Sequence, residues 1–281
     1  MNYKHGHPFS EPLPANLDDI KHRVRGLHKA GVIVIEGGLG EGKTTLGVEC
    51  ADYITGKNIS LKEQYAFGGI AFQEKIQICH ALNLPAIIYD ESGDFSKRGS
   101  LTDFNRRLVR VFETFRAYNT VVILILPSVS MIDESLFNLK VIRMVINCYR
   151  RTNKQGNFRA YSLYRTMLIK DYMKKNVIKE YAYTKIQPNF RGHFLNLDKA
   201  RADELEKISM EGKLNILSDN ILKAKGLLST KDMAYRLKMS QAWVKKKILD
   251  LNIKPAQIHK KHKYYDAEVL PNLESLIKYK K

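Results

Sequence analysis

The segment Val32-Ile33-Val34-Ile35-Glu36 running into Gly37-Gly38-Leu39-Gly40-Glu41-Gly42-Lys43-Thr44 constrains this chain more than any other. Its first part is a continuous apolar run, the mark of a strand buried on both faces. Its second part fits G-x-x-x-x-G-K-[ST] in full. Thr44 to Tyr53 then reads as a helix. Glycines let such a loop curl so that backbone N–H groups face an anion, and the helix N-terminus adds its dipole. Gly37, Gly38, Gly40, Glu41, Gly42, Lys43, Thr44 and Thr45 are therefore expected to cradle the phosphates of a nucleotide. Lys43 would reach the β- and γ-phosphates, and Thr44 would offer its hydroxyl to Mg²⁺.

Other buried strands follow at Ala86-Ile87-Ile88-Tyr89, at Val121 to Leu126 and at Val141 to Tyr149. Helices are expected over Gln73 to Ala81 and over 103–118. Alternation of strands and helices implies an α/β fold with a mainly parallel, helix-covered sheet. The second strand ends in Asp90-Glu91. There Asp90 can hold Mg²⁺, and Glu91 can orient and polarise an attacking water. Asp-Glu at this place separates hydrolytic, motor-type ATPases from most nucleotide kinases. Ser128, just past the next strand, is the candidate γ-phosphate sensor. An arginine is needed to stabilise transition-state charge, often from a neighbouring subunit. Arg116, just before that strand, and Arg98, soon after the acids, are the candidates.

After residue 150 the pattern changes. Phe158 to Ile169 and Val177 to Ile186 are rich in Tyr, Val, Ile and Thr, with Lys174-Lys175-Asn176 between them. This reads as an antiparallel hairpin, about 158–186, completing a first domain of residues 1–197. Arg159, Tyr161, Tyr164 and Arg165 on it could grip a nucleic-acid strand, or simply alternate on an amphipathic sheet. Residues 198–225 read as a charged helical connector with a thin apolar stripe. From 226 to 281 a small lysine-rich domain follows. Met233, Ala234, Leu237, Val244 and Ile248 have the spacing of two crossing helices, with Ser240 capping the second. Gln241, Lys245 and Lys246 would reach DNA from that second helix, and Lys260, Lys261 and Lys263 from a basic wing.

Charge points the same way. Forty-seven Lys and Arg against 29 Asp and Glu leave a net +18, which favours a polyanionic partner, most often nucleic acid. Three scattered cysteines suit a reducing cytoplasm and not a disulfide framework. The longest apolar run, Val121 to Leu126, is far short of the ~20 residues of a membrane span. No membrane association is expected.

Three blocks, VIVIEGGLGEGKTTLG, AIIYDESGDF and FETFRAYNTVVILILPSVSMID, resemble the FtsK–HerA and Zot-like branch of phosphate-loop ATPases of viruses, plasmids and integrated elements. The resemblance covers residues 31–150. It implies a RecA-like core, ATP with Mg²⁺, hydrolysis, and a homo-oligomer, commonly a ring, that moves or packages DNA. This chain departs from that branch in reading Pro-Ser where its motors usually carry glutamine, and in lacking the membrane span of the phage Zot proteins. Residues 226–278 resemble the winged, excisionase-like helix-turn-helix, which implies double-stranded DNA as partner. The leading expectation is a DNA-dependent ATPase of a mobile element. The rival is a DNA-binding regulator switched by nucleotide, of the partition or transposition type. A small-molecule or nucleotide kinase fits the loop but explains neither Glu91 nor the basic C-terminal domain.

Overall fold

The computed structural model describes residues 8–90, 119–132, 134–150, 156–176, 183–224, 226–259 and 262–278. Glu91, Arg98, Arg116, Lys260, Lys261 and the helix expected over 103–118 lie outside the described residues.

In chain order the elements are α1 (Leu13–Lys21), β1 (Val32–Glu36), α2 (Lys43–Thr55), α3 (Leu61–Gln64), β2 (Tyr65–Phe67), α4 (Gly69–Ala81), β3 (Ala86–Asp90) and β4 (Val121–Leu126). Next come α5 (Glu134–Asn138), β5 (Ile142–Arg150), β6 (Gly156–Tyr161), α6 (Leu163–Lys175), β7 (Phe190–Phe194) and α7 (Lys199–Ala224). The last are β8 (Leu227–Ser229), α8 (Thr230–Leu237), α9 (Gln241–Asp250), β9 (Gln257–His259), β10 (His262–Asp266) and α10 (Val269–Lys278).

The first seven strands form one sheet in the order β2-β3-β4-β1-β5-β6-β7. Strands β2 to β5 run parallel, and β6 and β7 add on antiparallel. All residues of β1, β3 and β4 are buried, as continuous apolar runs require of strands covered on both faces. Side chains of a strand alternate between faces, so β1 feeds two cores. Ile33 and Ile35 pack with Leu17 of α1, Leu46 and Ile54 of α2, and Leu205 of α7. Val32 and Val34 pack with Phe72 and Ile76 of α4, Leu136 of α5, and Ile169 and Met173 of α6.

The hairpin expected at 158–186 is corrected. Phe158 to Tyr161 is strand, but Leu163–Lys175 is a helix, and Lys174-Lys175-Asn176 is its end and not a turn. Ser162 caps it by accepting a hydrogen bond from Arg165 N. Thr166, Ile169 and Met173 then fall on one buried face at helical spacing. That cap and spacing outweigh the strand propensity of the same β-branched and aromatic residues, which is a weak prior. Residues 183–186 form a turn, and β6 instead pairs with β5 and β7. Tyr161 is buried and donates to Tyr183 O, and Arg165 donates to Gln187 O and Pro188 O. Those two side chains are engaged within the fold, whereas Tyr164 is exposed.

Helix α7 is held by Arg201, whose Nη2 donates to Asp52 Oδ1 of α2 and to Ile59 O. Beside this pair, Glu49 of α2 has its pKa pushed up to about 7, first by burial, then by Asp52 and Asp198, against the pull of Arg201. The folded chain thus keeps a proton there that the unfolded chain releases near 4.5. This contribution to stability is full below the unfolded value and is lost as pH rises through the folded one. Glu49→Gln is therefore expected to flatten the fall of the thermal midpoint between pH 5 and 8 and to melt above the wild type at pH 8. Thermal scans across that range check it; parallel curves would count against the assignment.

The chain divides into two compact units, Met1–Gly212 and Lys213–Lys281. In the second, β8, β10 and β9 form a three-stranded antiparallel sheet. Its core holds Leu228, Met233, Leu237, Val244, Ile248, Tyr265 and Leu273, with Trp243 packed against it. Ser229 and Asp232 make a reciprocal capping box at the start of α8, and Ser240 caps α9 by accepting from Trp243 N. Lys238 closes α8 in the left-handed conformation, a place that glycine takes more easily.

Candidate functional site

The loop between β1 and α2 lies at the C-terminal edge of the parallel strands. Gly37 has φ +149°, and a Cβ there would sit 2.5 Å from Cys148 O, so β5 passes too close for any side chain. Gly42 is left-handed, with Phe194 and the Arg150 guanidinium on the flank where a Cβ would point. Lys43 opens α2, and its ammonium curls back over the loop, donating to Gly37 O at 2.8 Å and Gly38 O at 2.7 Å. Burial lowers its pKa, while Cys148, Asp90, Glu36 and Glu41 oppose that shift. A desolvated ammonium over a glycine loop is a ready partner for a polyanion, whose oxygens would replace the two carbonyls.

Strand β3 brings Asp90 to the same edge. Asp90 is 3% exposed, and Thr44 Oγ1 donates to its Oδ2 at 3.3 Å. A hydroxyl and a carboxylate in contact beside the glycine loop are the hard oxygen donors that Mg²⁺ takes when most of its shell is water and phosphate. The residues present fit that ion. Among the described residues no cluster of three His, Cys, Asp or Glu side chains could hold a metal ion.

Ser128 stands just past β4, the strand between β1 and β3. Its hydroxyl accepts from Ser130 N and lies 2.8 Å from Ser130 Oγ. Thr45 is the third residue of α2, and Gly38 and Gly40 lie in the loop. Glu41 accepts from the backbone N–H of Arg150, which fastens the loop to the end of β5. Arg150 Nη2 donates to Asn196 Oδ1, and Nε has no acceptor among the described residues.

Glu36 and Tyr65 escaped the sequence reading. Glu36, 2% exposed, accepts from Val129 N at 2.9 Å and Asn147 Nδ2 at 2.8 Å, joining β1 to the loop after β4 and to β5. Burying a carboxylate costs several kcal/mol, and its hydrogen bonds offset only part of that. Its pKa is accordingly raised, by burial above all. An acid closing a fully apolar strand was the one available signal. Tyr65 Oη donates to Asp90 Oδ2 at 2.8 Å, and nothing in the local sequence announces that contact.

In the second unit Gln241, Lys245, Lys246 and Lys263 are exposed. Gln241 Nε2 donates to Thr230 Oγ1 at 2.9 Å, tying α9 to α8. Lys247 is paired with Asp250 instead.

No family model matches the chain, and no curated protein does. Among solved structures, a KaiC-like protein of Pyrococcus horikoshii is 11% identical over 48% of this chain and 78% of its own, with a TM-score of 0.31. The N-terminal domain of zonular occludens toxin from Neisseria meningitidis is 13% identical over 48% and 84%, at 0.30. The flagellar accessory protein FlaH of Methanocaldococcus jannaschii is 14% identical over 52% and 84%, at 0.26. At such scores the likeness carries no argument, and the site stands on its own geometry.

Proposed function

We propose that this chain is a Mg²⁺-dependent ATPase that binds duplex DNA and works as a homo-oligomer, of the kind carried by viruses and mobile elements. The observation that carries the reading is the convergence of Lys43, Thr44 and Asp90 at one edge of the sheet, from segments 46 residues apart in sequence. Loop N–H groups and Lys43 bind and align the phosphates. Thr44 and Asp90 hold Mg²⁺, which when bound neutralises charge on the phosphate oxygens. Glu91, next in sequence to Asp90, polarises the attacking water, and Ser128 contacts the γ-phosphate side. An arginine, Arg98 or Arg116, completes charge stabilisation from the same or a neighbouring subunit.

Residues 226–278 are read as a winged helix-turn-helix. Support comes from two capped helices across a short turn, followed by an antiparallel strand pair and a last helix. In this reading α9 enters the major groove with Gln241, Lys245 and Lys246, and a basic wing supplies Lys260, Lys261 and, from β10, Lys263. Three buried free cysteines fit a reducing, cytoplasmic setting. Among the described residues no helix is long and apolar enough to cross a membrane.

The test is steady-state ATP hydrolysis with and without linear duplex DNA. Duplex should stimulate turnover in the wild type. A Lys245→Ala, Lys246→Ala, Lys263→Ala variant should keep its DNA-free rate, lose the stimulation, and bind DNA with a log–log salt slope shallower by about 2–3. Slow turnover indifferent to DNA, with DNA binding intact, would instead identify a nucleotide-switched regulator.

A further inference from the structure

Tyr65 is fully buried on β2, the strand at the edge of the sheet beside β3. Parallel register sets Tyr65 opposite Ile88, two residues short of Asp90, and the length of the phenol closes that gap. Its hydroxyl donates to Asp90 Oδ2, the oxygen that Thr44 also approaches. Two hydroxyl donors on one oxygen fix the plane of a carboxylate that would otherwise turn about its own torsions. The hydroxyl of Ser209, on α7, lies beside the phenol oxygen. That helix is clamped on both sides of Ser209. Arg201 anchors it at Asp52 and Ile59 O, and Gly212 lies so close to Phe67 of β2 that a Cβ there would meet the ring at 2.7 Å.

We propose that Tyr65 is a positioning residue that orients Asp90 for its cation and ties that carboxylate, through Ser209, to helix α7. The inference rests on the nucleotide reading above. Partners behind a metal-binding carboxylate set its orientation and basicity, and losing one typically costs about 10–100-fold in metal affinity. Here the lower end applies, because Asp90 keeps its contact with Thr44. Thr44 and Tyr65 both donate to Asp90 Oδ2, and Ser209 neighbours the phenol, so a change at the cation would reach α7 through Tyr65. The coupling runs both ways by thermodynamic necessity.

The experiment uses the full-length protein, a fluorescent ADP analogue, a Mg²⁺ titration, and hydrogen exchange over 199–212 with and without Mg-ADP. In the wild type, Mg-ADP should increase protection of 199–212. Tyr65→Phe keeps the ring and removes the hydroxyl. It should raise the half-saturating Mg²⁺ concentration about 10-fold, leave metal-free ADP affinity within about 2-fold, and abolish the added protection. Ser209→Ala should retain the Mg²⁺ requirement of the wild type and lose the added protection. Tyr65→Phe that titrates Mg²⁺ as the wild type does, with added protection retained, overturns the proposal while leaving the nucleotide site standing. A wild type that shows no Mg²⁺-dependent ADP binding overturns the nucleotide reading itself, and this inference with it.

Discussion

Lys43→Ala is expected to lower ATP hydrolysis by about 10²–10³-fold, the range seen when one preorganised transition-state donor is removed. The ammonium now lies over the loop on Gly37 O and Gly38 O, desolvated enough that its pKa is lowered. Bound phosphate would add negative charge directly against the ammonium, so the interaction strengthens as charge builds on the transferred group. Alanine removes that charge and leaves two carbonyls facing the anion. The fold should survive, since Lys43 is the first residue of α2 and alanine suits a helix. Circular dichroism and a thermal scan separate the outcomes. A folded variant with wild-type turnover would remove the loop from any account of the chemistry.

Arg201→Ala is expected to be the most destabilising of these substitutions. Arg201 is 9% exposed, and its guanidinium binds Asp52 Oδ1 at 3.2 Å, Ile59 O at 2.7 Å and Glu204 Oε2 at 3.1 Å. Burial already raises the pKa of Asp52 despite this partner, so the carboxylate is costly to hold even when paired. Removing one member of such a pair costs about 3–5 kcal/mol, because the partly buried Asp52 is left with the backbone N–H of Ile59 in place of the guanidinium. For a unit of this size that is a fall of roughly 6–20 °C in thermal midpoint. Arg201→Lys should recover little, since a point charge cannot reproduce contacts made by both arms of the planar fork. A drop of under about 2 °C for Arg201→Ala would show that α7 is held by its apolar contacts alone.

What the sequence disclosed depended on how far apart the interacting residues lie. Strands β1, β3 and β4 are apolar runs too continuous to face water, so they were legible one by one, and so was the loop that follows β1. Helices α2, α4 and α7 carried their own periodicity. Helix α6 was misread because Thr166, Ile169 and their neighbours suit a strand as well as a helix, and only the Ser162 cap and the packing against β5 and β6 decide. Three-residue β2 has no pattern of its own and exists because β3 offers it an edge. The same holds within the site. Lys43, Thr44 and Asp90 were found because each sits in a local motif. Glu36, Tyr65 and Arg150 gain their places from register between strands distant in sequence, which no local spacing reports.

Calorimetric titration of ATP into the full-length protein, with and without Mg²⁺, asks whether the glycine loop and Asp90 form a nucleotide site. Saturable binding is expected at a single site per chain, tightened by Mg²⁺, competed by ADP and lost in Lys43→Ala. Absence of saturable binding to the wild type, or binding that Lys43→Ala leaves unchanged, would contradict it.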